Sequence, residues 1–314
     1  MTTGPRGAAV SHTASPLPAG AQRAAGERSQ SWTVLELLKW TTEHFAGKGI
    51  ETPRLDAELL LASVLGCDRL RLYLDFEKPV TAEERGAFRA LVRRRGEERV
   101  PVAYLTGTRE FWSLPLTVTP DVLIPRPDTE TLVAAVLARG PGRDAAFSLL
   151  DLGTGSGAIA LALASERPGA EVTASDLSTA ALAVARKNAE ALGLAERIRF
   201  VAGDGFAPVA GERFDVIASN PPYVAAGDGP GLAPELRHEP AEALFAPGDG
   251  TALLRRLVAE ANQHLRPGGL FALELAPPQA GDVTQCLAAA GFAEVEEHRD
   301  LAGRVRAVSA RGGE

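Results

Sequence analysis

From residue 147 onward, apolar runs of strand length alternate with amphipathic stretches of helix length, and near the C-terminus that alternation breaks. Strands are expected near 148–152, 171–175, 198–202, 214–219 and 269–275. A helix between two strands carries the chain back across the sheet, so the next strand lies parallel to the last. The rhythm therefore predicts an α/β fold with a Rossmann-like, doubly wound parallel sheet. Phe292–His298 and Arg304–Ala310 read as two further strands, and the few residues between them leave no room for a crossover helix. A connection that short forces antiparallel pairing, so the sheet should close on a C-terminal antiparallel hairpin.

In such a sheet, ligands bind at the carboxyl ends of the strands, and those ends carry the chemistry here. The first strand ends in Asp151-Leu152 and turns through Gly153-Thr154-Gly155-Ser156-Gly157 into a helix beginning at Ala158. Its glycines permit a tight turn and let a ligand approach the backbone and the helix N-terminus. With Ala158 as third small residue, the loop also satisfies G-x-G-x-x-[GA], so by itself it does not separate a nicotinamide dinucleotide from S-adenosylmethionine. Asp176 ends the second strand, where an acid can accept both ribose hydroxyls; capping the helix that starts near Ser178 is its alternative role. Asp204, in Gly203-Asp204-Gly205 after the third strand, is placed to meet an adenine edge or simply to serve a loop.

The fourth strand, Phe214–Ser219, runs into Asn220-Pro221-Pro222-Tyr223. Two prolines stop strand and helix alike and remove two N–H donors, leaving a rigid turn rich in acceptors. An Asn oxygen, backbone carbonyls and an aromatic plate suit a planar group with two N–H donors, either a carboxamide or an exocyclic amine. A plain proline turn with Asn220 bonded to its own backbone is the competing reading. The neighbouring strand ends favour the first, because they set the turn beside the reactive end of a nucleoside cofactor. A methyl donor explains such a turn and a dehydrogenase does not.

The N-terminal half is organised differently. Residues 1–30, rich in Ala, Gly, Ser and Pro, have no apolar signal-peptide core and read as a disordered tail, with an Arg-bearing, acid-poor transit peptide as the alternative. Residues 31–100 read as helices: Trp32, Leu35, Leu38 and Trp40 recur at helical spacing, Pro53 stands near a helix start, and Thr81-Ala82-Glu83-Glu84 forms a capping box. Arg93-Arg94-Arg95 is either a solvated helix end or a patch for a partner. Two short strands are expected in 101–125, one around Leu105-Thr106-Gly107 and the other at Leu116–Thr119, as a hairpin linker to the catalytic domain at 126–314. Within that domain a helix is expected over 128–139.

The net charge of −7 and pI of about 5.4 argue against a general grip on nucleic-acid phosphates, though a local basic patch could still exist. Cys67 and Cys286 supply neither a disulfide framework nor a zinc site and fit a reducing cytoplasm. No His pairs with another at metal-ligand spacing, so no metal is expected, and no stretch approaches bilayer-spanning length.

Taken with the motifs Pro101–Gly107, Glu110-Phe111-Trp112, Pro125-Arg126-Pro127-Asp128-Thr129-Glu130, Asp151–Gly157, Asn220–Tyr223 and Glu239-Pro240, the chain resembles the N5-glutamine methyltransferases of peptide chain release factors (the PrmC/HemK family) from about residue 32 to about 311. The resemblance implies a class I S-adenosylmethionine-dependent methyltransferase fold behind a small helical substrate-docking domain. It implies that Gly153–Gly157 and Asp176 hold the cofactor and that Asn220–Tyr223 bind the substrate; Asp204, Gly205 and Asn220 are also expected against the cofactor. Gly205 replaces a bulkier residue usual in the family, leaving a backbone contact to the adenine. The implied substrate is the glutamine of the Gly-Gly-Gln loop of class I release factors, with no direct nucleic-acid or membrane partner. The Pro-Arg-Pro-Asp-Thr-Glu stretch favours release factors over a ribosomal-protein glutamine. On this reading Asn220, Pro221 and Tyr223 are catalytic: the Asn220 oxygen and the Pro221 carbonyl accept the two amide N–H bonds while Tyr223 packs on the amide plane. The rival readings are a nucleic-acid adenine N6-methyltransferase and a cofactor-binding module without catalysis.

Overall fold

Thr33 and Thr81 open two helices by the same local chemistry. Each hydroxyl accepts from the N–H of the Glu three residues on, and that carboxylate accepts in return from the Thr N–H. Two orphan donors are thereby satisfied at the starts of α1 (Val34–Gly47) and, after α2 (Pro53–Leu65) and α3 (Arg69–Leu74), of α4 (Ala82–Gly96). In this computed structural model, Met1 and residues 31–313 are described, so the tail expected at 1–30 lies, Met1 apart, outside the described residues. Leu38, Phe45, Leu60, Leu61 and Phe88 build one shared helical core. Trp40 is not in it: the ring is exposed and stacks on His44, with centroids 5.0 Å apart.

The triple arginine at the end of α4 divides. Arg93 and Arg94 are exposed, while Arg95 is buried and bonded through Nε to Asp56 Oδ2 at 2.7 Å and through Nη1 to Glu235 Oε1 at 2.7 Å. Glu235 lies in the later part of the chain, so this cation ties the helices to it. Removing one partner of a buried ion pair strands the others. Arg95→Met is expected to cost about 3–5 kcal/mol, read as a lower denaturant midpoint. A shift below about 1 kcal/mol would mean that water replaces the guanidinium.

The first strand expected in 101–125 falls elsewhere. Pro101 and Gly107 (φ +73) bracket a short helix, α5 (Val102–Thr106), so Leu105 and Thr106 are helical. The hairpin consists of β1 (Thr108–Phe111) and β2 (Leu114–Thr117). Its two-residue turn, Trp112-Ser113, has φ +51 and +58, a backbone that suits strand twist but strains non-glycine residues. Trp112 offsets that strain with an N–H bond to Glu130 and an indole bond to Glu166. The next helix, α6 (Glu130–Arg139), follows a single 3-10 turn over Pro127–Thr129.

The strands of the main sheet, in chain order, are β3 (Phe147–Leu152), β4 (Ala170–Asp176), β5 (Ile198–Ala202), β6 (Phe214–Ser219), β9 (Leu265–Glu274), β10 (Ala293–Arg299) and β11 (Val305–Arg311). They are ordered β10-β11-β9-β6-β3-β4-β5. All neighbours from β5 to β9 pair in parallel, whereas β11 is antiparallel to both β9 and β10. This is the sheet of the class I methyltransferase fold, closed by the expected hairpin. Side chains alternate across it. Leu149, Val216 and Ala218 face α7 (Ala158–Glu166), while Leu150 and Ile217 face α10 (Ala252–His264) and α11 (Ala280–Ala289). The remaining helix of the cofactor half is α8 (Thr179–Ala191), between β4 and β5. A two-stranded parallel pair, β7 (Val224–Ala225) with β8 (Phe245–Ala246), and α9 (Ala241–Leu244) just before β8, follow the proline turn and went unread in the sequence.

Candidate active site

The strand order reverses between β3 and β6, and a cavity of about 460 Å³ opens there over the carboxyl ends of β3, β4, β5 and β6. Its floor depends on Asp151, which is fully buried. Asp151 Oδ2 accepts from the Thr154 hydroxyl at 2.6 Å and from the Ala160 N–H at 3.0 Å, clamping the glycine loop onto the start of α7. Burial pushes this carboxyl up to about 7, although both hydrogen bonds favour its charge. Gly153 and Gly155 line the cavity at φ +72 and +55, and a Cβ on either would meet no atom within 4 Å. Gly157 is constrained from behind instead: its Cβ would stand 3.1 Å from Leu161 and 3.2 Å from Ala185. Thr154 and Ser156 are buried and turn away from the cavity, the Ser156 carbonyl accepting from Asn188.

Asp176 serves the loop as well as the cavity. Its Oδ2 accepts from the Gly155 N–H at 2.8 Å and its Oδ1 from the Ser178 N–H at 2.9 Å. Each oxygen keeps a further lone pair, and the residue lines the cavity. Burial raises its pKa. Asp204 sits on the rim and is claimed by a residue that sequence reasoning missed: Arg256 of α10 grips both carboxylate oxygens, at 2.9 and 2.6 Å. The same guanidinium lies 3.1 Å from where a Cβ on Gly205 would be, filling the space a side chain there would take.

Asn220, Pro221 and Pro222 line the opposite wall; Tyr223 does not. The Asn220 amide donates through Nδ2 to the Thr129 hydroxyl at 3.1 Å, leaving Oδ1 as its acceptor. Tyr223 points its hydroxyl at the buried Glu274 Oε1, 3.1 Å away, so the ring packs among apolar side chains behind the turn. Gln279 donates to the Tyr223 carbonyl at 3.0 Å. Beyond the turn a wider cleft of about 1110 Å³ runs between the N-terminal helices, the hairpin and the 233–239 segment. Arg126 and Glu239 form a tight ion pair on its wall, and Glu239 also accepts from the Ile124 N–H. Among the described residues no group of three or more His, Cys, Asp or Glu is gathered as a metal site, and no helix is long and apolar enough to cross a membrane.

Thr129, Glu274 and Gln279 were not singled out from the sequence as site residues. Glu274 had a readable signal, a single acid inside the apolar run Leu270–Leu275. Thr129 lies in the Pro-Arg-Pro-Asp-Thr-Glu segment, and its partner is 91 positions away in sequence, a contact that only the fold makes.

A model of the PrmC N-terminal domain matches residues 36–107, and a model of the methyltransferase small domain matches residues 129–250. The chain is 45% identical over 285 residues to a release factor glutamine methyltransferase of Rhodopirellula baltica, covering 88% of this chain and 96% of the relative. A protein of the same name from Geobacter sulfurreducens is 42% identical over 91% of this chain and 99% of its own length. That of Burkholderia pseudomallei is 48% identical over 82% of this chain and 91% of its own. Among solved structures, the catalytic domain of hMettl16 in complex with the MAT2A 3'UTR hairpin 6 aligns with a TM-score of 0.52 at 17% identity, covering 67% of this chain and 79% of that one, a likeness of fold alone. With similarity running through the helical N-terminal part and the catalytic sheet alike, the chain belongs to the release factor glutamine methyltransferase family.

Proposed function

We propose that this protein transfers a methyl group from S-adenosylmethionine to the side-chain amide nitrogen (N5) of the glutamine in the Gly-Gly-Gln motif of class I peptide chain release factors. The observation that carries the reading is the Asn220 turn on the wall of the cofactor cavity, with its amide oxygen uncommitted among the described residues. The cavity fits the cofactor. Its volume is that of a small-molecule site, two glycines leave open space over the loop, and Asp176 retains acceptor capacity for ribose hydroxyls. Asp204 and Gly205, with Arg256 between them and α10, frame the adenine end.

When bound, the cofactor supplies an electrophilic methyl group on a sulfonium. The protein's task is the nucleophile. An amide nitrogen is poor because its lone pair is delocalised into the carbonyl. Asn220 Oδ1 and the Pro221 carbonyl accept its two N–H bonds, which raises electron density on nitrogen and fixes its direction of approach. The proton leaves after alkylation, when the nitrogen is strongly acidic, so no strong base is required beforehand. Tyr223 supports the turn from behind rather than lining the cavity, which moves its role from covering the amide to holding Asn220 and the prolines in place. The N-terminal helices and the wide cleft dock the body of the release factor, outside its Gly-Gly-Gln loop.

The test offers labelled methyl donor together with purified release factor, a release factor with the motif glutamine substituted, DNA and ribosomal proteins. Label is expected on the intact release factor only. Label on DNA, or label that persists after the glutamine is substituted, overturns the reading.

A further inference from the structure

Behind the Asn220 turn lies a buried polar chain that the reaction as described does not use. Glu274, 1% exposed at the end of β9, does not line the cofactor cavity. Its Oε1 accepts from the Tyr223 hydroxyl, and among the described residues its Oε2 has no hydrogen-bond partner of standard geometry. The Thr129 hydroxyl is the other neutral group that favours its charged form. Thr129 in turn accepts from Asn220 Nδ2.

The polarity of this chain matters because a threonine hydroxyl has one hydrogen and an asparagine amide has two faces. A carboxylate cannot donate. If the Thr129 hydrogen is directed at Glu274, only lone pairs remain toward Asn220, and Asn220 must present its NH₂ there. Its oxygen is then left for the substrate. If Glu274 could donate instead, the Thr129 hydrogen would be released, could turn toward Asn220, and would accommodate the flipped amide. The flipped amide offers a donor to a substrate that is itself a donor.

We propose that Glu274 is a positioning residue that fixes the orientation of the Asn220 amide through Thr129 and anchors Tyr223, so that the turn offers acceptors to the glutamine. The proposal rests on the reading of the turn as the glutamine site. Burial pushes the Glu274 carboxyl up to about 7. The groups around it are the Thr129 and Tyr223 hydroxyls and Arg306, which favour its charge, and Asp128, which opposes it. Arg306 is itself paired with Asp128 and Asp300, and Arg126, whose charge acts on Tyr223, is paired with Glu239. Below about pH 7 the carboxyl gains a proton and can donate; above it the chain runs in the productive direction. Turnover should therefore fall as pH drops through this range.

Glu274→Gln makes a donor permanent at nearly constant volume. Its kcat is expected to fall about 10²-fold, with S-adenosylmethionine Kd within about twofold of wild type, as for a misplaced reacting group. The acidic limb of the kcat profile should disappear in this variant. Thr129→Val should lose turnover in the same way, and Thr129→Ser should recover most of that loss. A readout independent of the substrate is the ¹⁵N signal of the Asn220 side-chain amide, expected to titrate near pH 7 in the free wild-type protein and not in Glu274→Gln. An unmoved Asn220 signal, or a Glu274→Gln enzyme with wild-type kcat or a retained acidic limb, overturns the positioning role. An Asn220 signal that titrates while the release factor stays unlabelled overturns the substrate reading instead and leaves the positioning role standing.

Discussion

Asn220→Ala is expected to lower kcat for glutamine methylation by about 10²- to 10³-fold, the loss typical when one preorganised hydrogen-bonding partner of the transition state is removed. As nitrogen attacks, positive charge develops on it and its N–H bonds become stronger donors, so an acceptor there gains strength as the barrier is climbed. That difference between ground and transition state is what raises turnover. Among the described residues no donor bonds the Asn220 oxygen, and the cofactor loop and Asp176 stand on other strand ends. Cofactor Kd should therefore stay within about threefold of wild type, since no strong interaction of the ribose or loop is lost. Single-turnover rates with calorimetric cofactor binding separate the two quantities. Cofactor affinity that falls in parallel with kcat would show that Asn220 holds the donor and not the amide.

The parallel sheet and the hairpin that closes it could be read from the sequence because each rests on local spacing: a helix-length gap or its absence decides parallel or antiparallel, whereas the order of the strands came from the structure. The strand ends could be read for the same reason, since a strand followed by glycines, an acid or prolines marks its own terminus. Three features were out of reach. Leu105–Thr106 alternate like a strand, but Pro101 and Gly107 at either end let a single helical turn form. Arg256 meets Asp204 from a helix 52 positions later, so the rim of the cavity is set by helix packing that no motif announces. From the sequence, Tyr223 reads as an aromatic plate that packs on the amide plane. The buried carboxylate at the end of β9 draws its hydroxyl inward, and the residue does not line the cavity. The sequence showed which residues meet at the strand ends, whereas the orientation of each side chain depends on partners brought from elsewhere.

Asp176→Ala should act on the other half of the reaction, raising the S-adenosylmethionine Kd by about 10²- to 10³-fold. Two effects add. A half-buried carboxylate that accepts ribose hydroxyls contributes charge-assisted hydrogen bonds worth about 1.5–3 kcal/mol each. Its loss also frees the Gly155 N–H, which Asp176 Oδ2 now holds at 2.8 Å, so the glycine loop loses the brace that keeps its backbone open to a ligand. With saturating cofactor, kcat should return to within about tenfold of wild type, because the Asn220 turn is untouched. The sign of the pH effect follows from burial. The Asp176 carboxyl lies above its ordinary pKa, so it protonates at a higher pH than an exposed aspartate, and cofactor affinity should weaken as pH falls through that raised value. Asp204→Ala is the internal comparison, since that carboxylate is exposed, its pKa is lowered by Arg256, and its loss should leave the acidic dependence in place. Asp176 also accepts from the N–H of Ser178, the cap residue of α8, and so braces that cap from outside the helix. An Asp176→Ala protein that loses stability but binds the cofactor at wild-type affinity would reduce Asp176 to that brace, and the ribose would then have to be held by the loop backbone alone.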